Sequence, residues 1–136
     1  MAAIFGKLNL KDQREILVLA APASFEPELR ALSGVSILRD ARKAKSIEFA
    51  LAFVTKRADV DAAVKSILPK TDGDIVLWFA YPKGTSKRIA GEINRDTGWD
   101  ALLAAGFETV RLVAIDEDWS ALRFRRTAYV GGKKPR

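Results

Sequence analysis

With 136 residues, 49% of them hydrophobic and 29% charged, the chain is long enough to bury one core and has the composition of an ordinary globular domain. It contains no cysteine and no histidine, which excludes disulfides, a thiolate nucleophile, Cys-ligated zinc and the commonest general base. The net charge of +6 is confined to one end: residues 1–118 carry 17 basic and 17 acidic side chains, and the excess is Arg123, Arg125, Arg126, Lys133, Lys134 and Arg136.

Residues 1–14 read as an irregular arm whose Ile4, Phe5, Leu8 and Leu10 pack on the body. Glu15 to Ala21 is a continuous apolar run closed by Pro22, the pattern of a strand buried on both faces. Ser24 is placed to cap a short helix through Leu32, with Pro27 in its first turn and Gly34 as its stop. Val35 to Arg39 is the second strand and Ile47 to Val54 the third. Residues 40–46 are too few for a helical crossover, so the spacing favours extended chain crossing the sheet. The alternative is an antiparallel second strand at the edge.

Asp59 to Leu68 is the clearest helix, with Val60, Ala63, Val64, Ile67 and Leu68 on one face, Asp59 as cap and Pro69 as terminator. Thr71 to Asp74 is a turn, and Ile75 to Tyr81 is an apolar fourth strand. A loop over Pro82–Arg95 leads to a helix from Trp99 to Ala105, with Thr97 and Asp100 spaced as a capping box and Gly106 at its C′ position. Thr109 to Ile115 is the fifth strand. Trp119 to Arg126 is the sixth, and the three-residue link between them permits only an antiparallel hairpin. The expected fold is a single α/β domain: a three-layer Rossmann-like sandwich around a mostly parallel sheet of about six strands, ending in an antiparallel hairpin strand and a basic tail over 128–136.

In such a sheet the loops after the parallel strands converge on one edge, and ligands bind where the strand order reverses. The expected crevice is lined by Ser24, Phe25, Thr55, Lys56, Tyr81, Lys83, Ser86, Lys87, Arg88, Arg95 and Asp96, with Asp116, Trp119 and Ser120 joining from the hairpin. Its lysines and arginines suit a phosphate or carboxylate. Each residue also has a plainer role. Tyr81 ends a strand, Asp96 caps the next helix or pairs with Arg95 or Arg111, and Asp116 accepts turn amides. Lys83-Gly-Thr-Ser86 lacks the first glycine and the residue order of a P-loop, so it is not one. The basic end suits phosphate contact, or else is a solvated tail together with charged outward positions on an edge strand, and a charge-balanced body disfavours nucleic acid.

The back half resembles the later part of a class I methyltransferase: strand, helix, apolar strand ending in Pro82, a helix closing on Ala105-Gly-Phe107, then a strand hairpin. That resemblance implies a spatial strand order of 2-1-3-4-6-5. It also implies an S-adenosylmethionine site formed by a glycine-rich turn after the first strand, with Asp40 in the place of a ribose-binding acid. Here the turn is Ala20-Ala-Pro-Ala-Ser-Phe25, without glycine. From about Phe5 to Thr127 the chain also resembles a small bacterial family of unknown function. Lys7-Leu8, Pro22, Tyr81-Pro-Lys-Gly-Thr-Ser86, Asn94-Arg-Asp96 and Asp116-x-x-Trp119-Ser-x-Leu-x-Phe124 carry this resemblance, which implies a shared fold and no activity.

The sequence therefore leads to a cytoplasmic domain without a cofactor, metal or membrane span. It acts through a protein partner, binds a small anion or nucleotide at the Lys83–Arg95 loop, or is a degenerate methyltransferase-like enzyme.

Overall fold

A computed structural model describes residues 3–86 and 91–130. Six strands form one sheet: β1 (Glu15–Leu19), β2 (Ser36–Leu38), β3 (Phe49–Phe53), β4 (Val76–Pro82), β5 (Phe107–Ala114) and β6 (Trp119–Arg126). Their order is β2-β1-β3-β4-β6-β5, as the methyltransferase resemblance implies. The first four strands are parallel; β6 runs antiparallel to both β4 and β5. Every residue of β3 and β4 is buried, as expected of central strands covered on both faces.

One face carries α1 (Ala3–Lys7), a short helix within the arm expected to be irregular, and α2 (Glu26–Arg30), over a core of Phe5, Leu8, Phe25, Leu29, Phe49, Phe53, Trp78 and Trp119. The other carries α3 (Arg57–Ile67) and α4 (Asp100–Ala104), over Val60, Ile67, Phe79, Tyr81, Trp99, Leu102 and Phe124. The connection from β2 to β3 is extended chain with a single 3-10 turn at Ala41–Lys43, and β2 stays parallel to β1. Ala41 and Ala44 are buried, while Lys70 Nζ donates to both of their carbonyls at 2.7 and 2.6 Å, which pins this short crossover against the sheet.

Three local expectations are corrected. Ser24 caps nothing: it is exposed within a 3-10 turn at Ala23–Phe25, and α2 begins only at Glu26. The cause is Phe25, 1% exposed and packed 5.7 Å from Phe5 and 5.0 Å from Phe53, which draws the chain inward and sets the turn ahead of the helix. Thr97 forms no capping box either. Its backbone pairs with Asn94, Gly98 follows at φ +105°, and Trp99 occupies the N-cap of α4 with its indole N–H donated to the Asn94 carbonyl at 2.9 Å. Finally, β6 is not an edge strand, since β5 covers it. Arg125 and Arg126 instead hold the turn between α3 and β4. Arg125 makes a two-bonded ion pair with Asp74, and Arg126 donates to Gly73 O and Thr71 Oγ1 with its guanidinium 4.9 Å over the Phe107 ring.

Candidate functional site

The chain leaves β1 toward β2 on one side and leaves β3 toward β4 on the other, so the loops after β1 and β3 part and open a crevice. Its volume is about 470 Å³, within the range of small-molecule sites. The wall is mostly apolar. Leu19 and Ala20 come from β1 and its turn, Ala52 to Thr55 from β3, Asp59, Ala62, Ala63 and Ser66 from α3, and Trp119 from β6. Small side chains on the flank of α3 leave the space open.

Ala20, immediately after β1, has φ +57°, a left-handed conformation that glycine adopts without penalty. An L-residue there loses about 1–2 kcal/mol. The turn thus keeps the geometry of a glycine turn while carrying a methyl group at the crevice rim. Pro22 follows in extended conformation and has no amide hydrogen to offer a ligand. We expect Ala20→Gly to raise stability by roughly 0.5–1 kcal/mol, because relief of the left-handed strain exceeds the added freedom of the unfolded chain. Urea denaturation measures it.

Asp59 is the one carboxylate in the crevice wall among the described residues. Its Oδ2 accepts the amides of Thr55 and Lys56 at 3.0 and 3.1 Å and the Thr55 hydroxyl at 3.2 Å, reaching back over the first turn of α3 from the N3 position. These bonds, the Thr55 amide first, hold its pKa below the ordinary 3.8. Because the folded pKa is depressed, the stabilisation is complete above the unfolded value and is lost as pH falls through the folded one. Asp59→Ala is expected to cost about 1 kcal/mol at neutral pH. In strong acid the difference from the parent closes, as denaturation curves at the two pH values check.

The remaining expected site residues are dispersed. Thr55 and Trp119 line the crevice. Phe25 turns into the opposite core, and Ser24 and Lys56 are exposed. Tyr81 is buried on the α3–α4 face and hydrogen-bonded to Ser120, its neighbour across β4 and β6; burial pushes its pKa up. Lys83 and Ser86 are tied to the hairpin turn, by Lys83 N–H to Asp118 O at 2.7 Å and Ser86 Oγ to Asp118 Oδ1 at 2.9 Å. They border a separate hollow of about 310 Å³ together with Glu92 and Asn94. Glu92 straps this loop to the end of β3, its amide donating to the Thr55 carbonyl at 2.8 Å. Gly91 lies so close that an added Cβ would stand 2.8 Å from that same oxygen.

Arg95 and Asp96 are exposed, and the Asp96 amide donates to Asn94 Oδ1. Asp116 Oδ1 accepts the amides of Asp118 and Trp119 at 2.8 and 2.9 Å, the turn-forming role. Asp40 caps the 3-10 turn of the crossover and pairs with Arg42, whose guanidinium lowers the carboxyl to about 2. Lys87 and Arg88 lie outside the described residues, as do Lys133, Lys134 and Arg136.

Sequence reasoning missed the α3 flank of Ala62, Ala63 and Ser66, although small residues beside a helix's apolar stripe are the available signal. Trp119 is a core side chain. That side chain is 4% exposed and packs edge-on at 5.1 Å against Phe53, and its indole N–H is buried without an acceptor. No group of three or more Asp or Glu residues that could hold a metal ion occurs among the described residues, and no helix there is long and apolar enough to cross a membrane.

No protein-family model and no curated protein sequence matches the chain. Solved structures do. A SAM-dependent methyltransferase from Aquifex aeolicus superposes with TM-score 0.56 at 12% identity, over 90% of this chain and 87% of that one. LepI, in its complex with SAM, gives TM-score 0.53 at 11% identity over 90% of this chain and 39% of its own length. The pyocyanin biosynthetic protein PhzM gives 0.50 at 12% identity, over 92% of this chain and 54% of its own. At these identities the likeness is one of fold: a Rossmann-like, methyltransferase-like α/β sandwich.

Proposed function

We propose that this chain is a non-catalytic binding domain on a methyltransferase-like fold, and that its crevice takes a small uncharged ligand of nucleoside size. The observation that carries the reading is the crevice of about 470 Å³ at the carboxyl ends of β1 and β3, where this architecture places ligands. The lining has no lysine or arginine among the described residues, so a phosphate would gain nothing there. Thr55 and Ser66 supply hydroxyls, and Trp119 supplies an aromatic wall.

The residues do not fit S-adenosylmethionine well. Ala20 and Pro22 replace the glycine turn, Asp40 is occupied by Arg42, and Asp59 is committed to the α3 cap. The Tyr81–Ser86 and Asp116–Phe124 segments bind each other through Asp118 where β4 ends.

The test is calorimetry with adenosine and, separately, with S-adenosylmethionine. Saturable binding of adenosine supports the reading. Binding of S-adenosylmethionine with methyl transfer would replace it with the enzyme reading. No heat with either would sink the crevice as a nucleoside site.

Action through a protein partner is the second reading. It is favoured by the exposed apolar residues Leu103, Val110 and Leu112, at 55%, 37% and 45%, along α4 and edge strand β5.

A further inference from the structure

Alternation along the hairpin places Arg123 and Arg125 of β6, and Arg111 of β5, on the sheet face that holds Ala121, Val113 and Trp78. Arg123 stands in register between Trp78 on one side and Arg111 on the other. Arg125 has its own carboxylate, with Nε and Nη2 at 2.8 and 2.6 Å from Asp74. Among the described residues, neither Arg111 nor Arg123 makes an ion pair.

Two features of this arrangement oppose folding. Like charges directly across neighbouring strands repel. In addition, Arg123 Nε is buried with no acceptor. Burial, reinforced by the nearby Arg125 and Arg111 guanidinium groups and only partly opposed by the Asp74 carboxylate, pushes Arg123 below its ordinary pKa, although it remains charged at any physiological pH. Both features are offset if negative charge arrives from outside.

We propose that Arg111 and Arg123 form a binding site for the phosphate group of a small molecule, distinct from the crevice between β1 and β3. A phosphate dianion matches two facing cations where a single carboxylate would leave one uncompensated, and its oxygens suit the guanidinium fork. The Arg123 stem is half-buried beside Trp78, so its head is held in position before any ligand arrives. The site does not depend on the crevice reading, and either can fail alone.

The experiment follows the arginine Nε–Hε resonances of the 15N-labelled full chain during titration with inorganic phosphate, against chloride at matched ionic strength. A second arm uses glycerol phosphate. We expect the Arg123 signal to shift saturably with phosphate while that of Arg125, held by Asp74, stays in place. Arg111→Gln, at an exposed position, should weaken binding at least about tenfold, the loss of one charged hydrogen-bonding partner. Arg123→Lys should weaken it as well, because the charge remains and the fork does not. Tighter binding of glycerol phosphate assigns the site to a phosphorylated metabolite, and equal binding assigns it to inorganic phosphate. An Arg123 signal that responds alike to chloride and phosphate, or an affinity unchanged in Arg111→Gln, overturns the proposal.

Discussion

Trp78→Ala is expected to lower the free energy of unfolding by about 4 kcal/mol, the range for emptying a fully buried aromatic site. Trp78 is 0% exposed at the middle of β4, between Leu51 of β3 and Arg123 of β6. It also holds the amino-terminal segment, because its indole N–H donates to the Leu8 carbonyl at 2.7 Å, where the chain leaves α1. Trp78→Phe separates the two contributions. It keeps most of the apolar volume and leaves the Leu8 carbonyl without that donor, at a cost of about 1–3 kcal/mol. Urea denaturation reads both values. Limited proteolysis adds a second observable, with cleavage near residues 8–14 faster in Trp78→Phe than in the parent. Equal stability and equal cleavage would show that Trp78 does not anchor the arm.

Ala62→Trp is expected to abolish adenosine binding, with a loss of at least about a hundredfold, while moving stability by no more than about 0.5 kcal/mol. Ala62 is exposed on α3 and lines the crevice, so a bulky side chain enters open space and leaves the core undisturbed. Ala52 and Ala63 line the same wall but are buried in the sheet–helix core, where enlargement costs about 1–3 kcal/mol by overpacking and would confuse the readout. Calorimetry with adenosine and a thermal melt of the variant decide the matter. Undiminished binding would move the nucleoside site away from the crevice. A drop in melting temperature of more than a few degrees would mean that α3 itself had been displaced.

The strands were legible in the residues because burial on both faces demands unbroken apolar runs. Ile16 to Leu19, Phe49 to Phe53 and Val76 to Tyr81 are such runs, and the short hairpin link dictates an antiparallel β6. Helix caps were less legible. Ser24 and Thr97 are good cap residues by type, but the burial of Phe25 and the pairing of Asn94 with Thr97 decided otherwise. The crevice was legible in place and not in its lining. The edge after β1 and β3 follows from topology, and Thr55 was among the residues expected there. The cations expected to line it, Lys83 and Arg95, are spread over other surfaces instead.

By itself the sequence determined the chemistry available to this protein: no thiol, no imidazole, and a first turn without glycine. It also determined the succession of strands and helices along the chain, since hydrophobic periodicity is local. Only the tertiary structure decided that Ala20 takes a left-handed turn, that Ala62, Ala63 and Ser66 leave a hollow beside Trp119, and that Arg111 faces Arg123. Those relations join residues far apart in the chain. They depend on register and on which side chain fills which space, and neither quantity is encoded in any single stretch of residues.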